Sequence, residues 1–171
     1  MKALLVIDML KDFIDIGGAL ETGEAGRDIV GFVKNKIDEF RKAGHPIIYI
    51  CDNHEVDDKE FQMFPPHCIA GTEGSKIIDE LDVWEDDKII TKRRYSSFYG
   101  TDLDLYLREK GVKKIHMVGV CTNICLLYTA ADGRNIDYDV VVYRDGVASF
   151  DKEAHDFALK EMGTTLGCKV K

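Results

Sequence analysis

The sequence is poor in proline, in net positive charge and in long hydrophobic runs. Only 3 of its 171 residues are proline, and its 45% hydrophobic and 32% charged content excludes a disordered or fibrous chain. A net charge of -8 disfavours binding to nucleic acid or to an anionic membrane surface. No hydrophobic run is long enough to span a membrane. We therefore predict a globular protein with a single domain over residues 1–171, no nucleic-acid or membrane partner, and a small-molecule substrate.

The sequence also lacks the features of an exported, disulfide-bonded protein. The opening residues MKALLVIDML are interrupted by Asp8 and contain no small-residue cleavage site, so we do not interpret them as a signal peptide. The five cysteines are an odd number, which predicts free thiols and a cytoplasmic location. The cysteines would then serve a metal site, catalysis or core packing.

Short apolar runs alternate with helical patterns along the whole chain. Five of these runs, ALLVID, PIIYIC, KIITK, IHMVGV and DVVVY, are continuously apolar, which is typical of strands buried on both faces. Residues 26–44 have a helical period, and Asp151 is placed to cap the last helix. This alternation predicts an α/β fold in three layers, an open and mostly parallel sheet with helices on both faces.

Three polar residues stand at the ends of predicted strands. Asp8 ends the first strand, Lys92 ends the third, and Cys125 follows the fourth at the start of a helix. Ligands bind outside the carboxyl ends of such strands, so we expect these residues to meet there. The helix N-terminus and a nearby ammonium predict a lowered pKa for the Cys125 thiol, whose proton a carboxylate could accept. Taken singly, each residue also has an ordinary explanation in packing or solvation.

The loop after the second strand contains candidate metal ligands. Asp52 and His54 directly follow the strand, and His67 comes after a pair of prolines that stiffens the chain. Two histidines with carboxylates suit a divalent transition metal such as zinc, manganese or iron, with positions left open for water or substrate. The alternative is that a hydrophilic loop contains these residues by chance.

Five motifs in order, LLVIDMLKDF, DNH, FPPHCIAGTEG, KRRYSSFYGTDL and GVCTNICLLYTAADG, resemble those of the isochorismatase-like cysteine hydrolases, and among them the nicotinamidases. The resemblance covers nearly the entire chain. It implies that Cys125 is the nucleophile, that Asp8 is the general acid and base, and that Lys92 is the third catalytic residue. It further implies an oxyanion hole formed by the backbone N–H groups of Cys121 and Cys125, with a cis peptide bond before Cys121.

The resemblance also implies a ligand set and a substrate pocket. Many nicotinamidases have a third histidine between the positions of His54 and His67, and Glu60 stands in a similar place to the glutamate that some of them use instead. The acids of the same loop that compete with it are Glu55, Asp57 and Asp58. We expect zinc first, with manganese or iron as alternatives. The aromatic residues at the pocket-lining motif positions, each of which could instead be ordinary core packing, are Phe13, Phe64, Tyr95 and Phe98.

The activity that the resemblance implies is hydrolysis of nicotinamide to nicotinate and ammonia through a thioester, as a step of NAD salvage, by a homo-oligomer. A relative acting on another small amide, such as a carbamoyl or ureido compound, or an isochorismate-type hydrolase, is the first alternative. A non-catalytic metal-binding or thiol-sensing protein is the second. Cys121 and Cys125 could also form a redox pair, although their spacing is not that of the Cys-x-x-Cys oxidoreductases.

Overall fold

A computed structural model describes residues 1–171 and contains one sheet of six parallel strands in the order β3-β2-β1-β4-β5-β6. The strands are β1 (Lys2–Ile7), β2 (Ile47–Asp52), β3 (Lys88–Lys92), β4 (Lys114–Val120), β5 (Asp139–Ala148) and β6 (Lys169–Val170). The α-helices are α1 (Lys11–Ile14), α2 (Gly23–Asp28), α3 (Val30–Lys42), α4 (Leu103–Glu109), α5 (Leu127–Asn135) and α6 (Lys152–Thr164). A π-helical turn, Thr122–Leu126, precedes α5.

The sheet buries both of its faces, because the inner strands carry apolar side chains on each side. On β1, Leu4 and Val6 pack with the apolar stripe of α3, whereas Leu5 and Ile7 pack against α4, α5 and α6. The predicted three-layer α/β architecture with a parallel sheet is therefore confirmed. No helix is long and apolar enough to cross a membrane.

One local prediction needs correction, and one short strand was missed. The helix predicted over residues 26–44 is divided into α2 and α3, which meet at the buried Ile29. Strand β6 was not predicted, since its two residues are too few to give a periodic signal. The predicted cap of α6 is confirmed, because the Asp151 side chain accepts a hydrogen bond from the Ala154 N–H at 2.9 Å.

The strand order places a topological switch point between β1 and β4. The chain moves from β1 to one edge of the sheet through β2 and β3, then returns to β4 on the other side of β1. The two strands approach closely at Gly119, where a Cβ atom would lie 1.9 Å from the Ile7 carbonyl oxygen and φ is +120°. Only glycine fits there. Open α/β sheets bind ligands at such a crevice, so the ends of β1 and β4 are the place to look for a site.

One buried histidine in β4 makes the stability of the fold depend on pH. The Nδ1 atom of His116 lies 2.8 Å from the Tyr143 hydroxyl oxygen, and its Nε2 atom has no hydrogen-bond partner. Burial lowers the pKa of His116 to about 4, with Lys2, Lys171 and Lys114 acting in the same direction and Glu39 opposing them. The folded protein therefore holds this ring neutral where the unfolded chain protonates it.

We predict that this histidine destabilises the protein between pH 6.5 and 4. The folded-state pKa is depressed, so the unfolded state gains protons first and stability is lost as the pH falls. The loss should be on the order of 1–3 kcal/mol by pH 4. Denaturant unfolding at several pH values, comparing the wild type with His116→Asn, measures it. Identical pH slopes in the two proteins would contradict the prediction.

Candidate active site

The ends of β1, β3 and β4 bring Asp8, Lys92 and Cys125 into contact. The Lys92 Nζ atom lies 2.9 Å from Asp8 Oδ2 and 3.4 Å from Cys125 Sγ. All three residues are buried. Lys92 also donates a hydrogen bond to Asp52 Oδ1, so one ammonium group joins the cysteine to two carboxylates. The predicted meeting of three strand ends is found in the structure.

The Asp8 carboxylate is held firmly but keeps one oxygen without a hydrogen bond. Its Oδ1 atom accepts from the Asp52 backbone N–H at 2.9 Å. Its Oδ2 atom has no hydrogen-bond partner, because Lys92 is near but not in hydrogen-bond geometry. Asp8 itself has φ +53°, a left-handed conformation that is uncommon outside glycine and tends to occur at functional positions. An oxygen in this state can accept a proton from the neighbouring thiol.

The prediction of a lowered pKa for Cys125 is wrong. Burial and the Asp8 carboxylate raise the pKa of the Cys125 thiol well above its ordinary value, and Lys92 only partly opposes them. The helix N-terminus and the ammonium cannot offset the cost of burying a thiolate beside a carboxylate. Burial, together with the charge of Asp52, raises the pKa of Asp8 to about 6. The raised pKa favours a neutral thiol at rest, which would need a base in order to react as a nucleophile.

Cys121 begins the segment that leads from β4 to Cys125. The peptide bond between Val120 and Cys121 is cis, as the resemblance predicted. The Cys121 carbonyl oxygen accepts hydrogen bonds from the N–H groups of Ile124 and Leu126, whereas its own N–H donates none within the protein. Burial, followed by the charge of Asp8, raises the pKa of the Cys121 thiol to about 12. Cys121 can thus offer a backbone donor, while its side chain is a poor nucleophile.

Four potential metal ligands converge beside the Cys125 thiol. The Oδ2 atom of Asp52 lies 3.6 Å from His54 Nε2 and 3.8 Å from His67 Nε2. Glu60 Oε1 lies 3.9 Å from the Nε2 atom of each histidine. The His54 Nε2 atom is buried without a hydrogen-bond partner, which is costly unless something else binds it. Two imidazoles and two carboxylates at this spacing suit a divalent metal, so Asp52, His54 and His67, with Glu60, could hold one.

The other nitrogen of each histidine is already bound, which directs Nε2 toward the cluster. The His67 Nδ1 atom is 2.7 Å from the Pro65 carbonyl oxygen, and the His54 Nδ1 atom is 3.1 Å from Asp58 Oδ2. Such partners fix the tautomer and the ring orientation of metal-binding histidines. Asp58 therefore orients His54 and is not itself a ligand. Glu55 and Asp57 are exposed, which leaves Glu60 as the acid of this loop that faces the cluster.

The isochorismatase domain profile matches residues 2–169. The chain belongs to the isochorismatase family. A nicotinamidase/pyrazinamidase from Bacillus subtilis is 37% identical, with a TM-score of 0.94 over 99% of this chain and 98% of its own. A pyrazinamidase of Pyrococcus horikoshii, solved in complex with zinc, is 35% identical, with a TM-score of 0.93 over 99% of this chain and 98% of its own. An N-carbamoylsarcosine amidase from Thermoplasma acidophilum is 36% identical, with a TM-score of 0.88 over 99% of this chain and 95% of its own.

These similarities show that this isochorismatase-family chain is a hydrolase of amide bonds. Its thiol and its metal-ligand cluster open into the same narrow cavity. The cavity is lined by Phe13, Leu20, Asp52, Glu60, Phe64, His67, Tyr95, Cys121, Ile124, Cys125 and Phe150. A small ligand in this space would touch both the thiol and the cluster.

Three of the four aromatic residues predicted for the pocket line it, and Phe98 does not. The Phe98 ring stacks on Tyr138 at a centroid distance of 5.8 Å and packs with the core under α5. Its side chain therefore belongs to the hydrophobic core, the alternative considered for each of these residues. Sequence reasoning missed Leu20, Ile124 and Phe150 as lining residues. Phe150 comes two residues after β5, so the rule that found the other strand ends could have found it.

The sequence offered Asp58 only as a competing metal ligand. In the structure it forms more hydrogen bonds and ion pairs than any other acid of the loop after β2. It is buried and accepts hydrogen bonds from Arg94 Nη1 and from the Glu60 N–H, both at 3.0 Å. Although burial opposes it, these donors and His54 hold the pKa of Asp58 well below its usual range. The carboxylate thus remains charged and ready to orient His54. Arg93 and Arg94 form ion pairs with this carboxylate at 3.3 Å and 3.0 Å.

We predict that Asp58→Ala weakens binding of zinc about 10–100-fold, because His54 loses the partner that orients it. Competition with a chromophoric chelator measures the affinity. Asp57→Ala is the matched control, since Asp57 is the exposed neighbour in the same loop and should bind zinc as the wild type does. An affinity for Asp58→Ala equal to that of the control would show that the His54 ring needs no such partner.

Proposed function

We propose that the protein is a metal-dependent nicotinamidase that converts nicotinamide to nicotinate and ammonia with Cys125 as the nucleophile. The observation that carries this proposal is the shared cavity: the Cys125 thiol and the cluster of Asp52, Glu60 and His67 line the same narrow space. A substrate bound there can present a metal-binding atom at one end and a carboxamide at the other. Nicotinamide, with a ring nitrogen and a carboxamide, has both groups.

The lining of the cavity favours a neutral aromatic amide. Phe13, Phe64 and Tyr95 offer ring faces, and Leu20 and Ile124 add apolar surface. No lysine or arginine lines the cavity, so a substrate carboxylate such as that of N-carbamoylsarcosine would find no cationic side chain among the lining residues. These features favour a substrate with a flat heteroaromatic ring over a charged ureido compound.

The chain's own residues supply the steps of the reaction. Asp8 Oδ2 takes the proton of Cys125, and Lys92 stabilises the thiolate as it forms. The sulfur attacks the carboxamide carbon, and the backbone N–H groups of Cys121 and Cys125 donate to the oxyanion. When the C–N bond breaks, Asp8 returns the proton to the nitrogen, which leaves as ammonia. Water, activated by Asp8, then cleaves the thioester to give the acid and the free thiol.

The residues that would hold a metal are Asp52, His54, Glu60 and His67. When bound, the metal would coordinate the ring nitrogen of the substrate and so orient the ring. Zinc is our first choice, with manganese or iron as alternatives. Nicotinate, the product, could enter NAD salvage. The homo-oligomeric state and the cytoplasmic location stay predictions.

Ammonia release from a panel of amides tests this proposal. We expect hydrolysis of nicotinamide and of pyrazinamide, loss of activity after chelation, and recovery on addition of zinc, manganese or iron. Benzamide, which lacks the ring nitrogen, should be a much poorer substrate. If the metal-loaded protein is inert on nicotinamide but hydrolyses N-carbamoylsarcosine, the protein is a sibling amidase. If it hydrolyses no amide, the choice of substrate class is wrong.

A further inference from the structure

The turn that carries the nucleophile is held from outside by the start of α6. Cys125 lies in the π-helical turn Thr122–Leu126, which follows Cys121 directly. Residues 149–155, here called the brace, run from the end of β5 into the first turn of α6. Two side-chain hydrogen bonds connect the brace to the turn. Neither belongs to the cavity or to the metal cluster.

The first hydrogen bond joins His155 to Thr122. The Thr122 Oγ1 atom lies 2.8 Å from His155 Nδ1, and Thr122 is completely buried whereas His155 is half-buried. The first turn of α6 is in turn secured by the Asp151 cap, so His155 projects from a fixed helix end. Thr122 directly follows Cys121, whose N–H is free to bind the oxyanion, and lies three positions before Cys125.

The second hydrogen bond joins Ser149 to Asn123. Ser149 Oγ donates to Asn123 Oδ1 at 2.6 Å, and Ser149 is buried. The brace therefore holds two successive residues of the turn, Thr122 and Asn123, through hydrogen bonds that involve neither Lys92 nor Asp8. Side chains that lock a catalytic group in this way set its position to a fraction of an ångström.

We propose that Thr122 and His155 are positioning residues, which hold the Cys125 thiol and the Cys121 N–H in register with the substrate carboxamide; this inference rests on the proposed function. The thiol has to keep its 3.4 Å contact with Lys92 and its approach to Asp8, and a small shift of the turn moves it away from both. Misplacing a catalytic group by about 1 Å can cost on the order of a hundredfold in rate.

His155 can lose its partner at little cost to the fold. It lines a surface cavity with Lys152 and Asp156, where water can reach it. Thr122→Val keeps the shape of the side chain and removes only the hydroxyl, and Thr122→Ser restores the hydroxyl. The contribution of the hydrogen bond can thus be separated from the contribution of packing.

The test compares kcat, KM and the alkylation of Cys125 by iodoacetamide, mapped by mass spectrometry. Thr122→Val should lower kcat about tenfold or more with KM within about twofold, and Thr122→Ser should recover most of the loss. Thr164→Val is the matched control, since Thr164 is an exposed α6 residue whose hydroxyl donates to the Lys160 carbonyl oxygen at 2.8 Å. This variant should leave kcat, KM and the alkylation rate of Cys125 unchanged.

Alkylation needs no substrate, so it tests the positioning even if nicotinamide is not hydrolysed. We expect Cys125 to be alkylated at least about threefold more slowly in Thr122→Val, because the thiol moves away from Lys92. A double-mutant cycle with His155→Ala should show coupling, the double variant being no slower than the worse single variant. If Cys125 is alkylated in Thr122→Val at the wild-type rate, or if the effects of the two substitutions in the cycle are additive, the proposal is overturned.

Discussion

Cys125→Ala should lower the rate of ammonia release from nicotinamide by about 10⁴-fold or more while the protein stays folded. The Cys125 thiol lies 3.4 Å from the Lys92 ammonium and within reach of the Asp8 carboxylate, which can deprotonate it. The substitution removes one buried sulfur atom, so the loss of stability should be about 1–2 kcal/mol. Steady-state kinetics and a thermal unfolding curve measure the two effects.

Cys121→Ala is the matched control for this prediction. Cys121 lines the same cavity and is equally buried, yet the proposal uses only its backbone N–H, which alanine keeps. Its activity should therefore stay within about tenfold of the wild type. Comparable losses in the two variants would mean that the roles assigned to the two cysteines are wrong. A redox pair predicts such equal losses.

Lys92→Met should destabilise the metal-free protein by about 3–5 kcal/mol and also abolish turnover. The ammonium of Lys92 lies between the carboxylates of Asp8 and Asp52, and its side chain is wholly buried. Although burial opposes it, the two carboxylates raise the pKa of Lys92 well above its usual value. Without the ammonium, two buried negative charges face each other.

Lys88→Met serves as the control, because Lys88 is on the same strand and its ion pair with Asp102, at 3.0 Å, is partly exposed. Its removal should cost about 1 kcal/mol or less. Denaturant unfolding in the presence of a chelator compares the two variants. Similar stability losses would show that the charge network at the site is less strongly coupled than the contacts indicate. The addition of zinc should recover part of the loss in Lys92→Met, since the metal would neutralise Asp52.

Much of the fold could be predicted from the sequence, because the buried strands of a parallel sheet give continuous apolar runs. The same reasoning predicted that Asp8 and Lys92 lie at one end of the sheet, because the carboxyl ends of parallel strands meet there. The proximity of Cys125 to both follows from the strand order, in which β1 and β4 are neighbours. The ligand cluster was likewise predicted, as Asp52 ends β2, His54 follows two residues later, and the structure brings His67 and Glu60 to them.

The remaining features depend on three-dimensional packing. The pKa of Cys125 was predicted in the wrong direction, because a sequence shows the neighbours of a thiol but not how deeply it is buried. Phe98 and Phe64 look alike in the sequence, and only the fold sends one ring into the core and the other into the cavity. The pairing of Thr122 with His155 joins residues 33 positions apart, and no local pattern reports it.

Trapping of the acyl-enzyme with hydroxylamine tests the central claim most directly. If Cys125 forms a thioester, hydroxylamine competes with water for it, so nicotinohydroxamate appears at the expense of nicotinate while ammonia release continues. Cys125→Ala should form neither product, and Cys121→Ala should form both. If the wild type gives only nicotinate at every hydroxylamine concentration, or if Cys125→Ala still gives the hydroxamate, a covalent intermediate on Cys125 is contradicted.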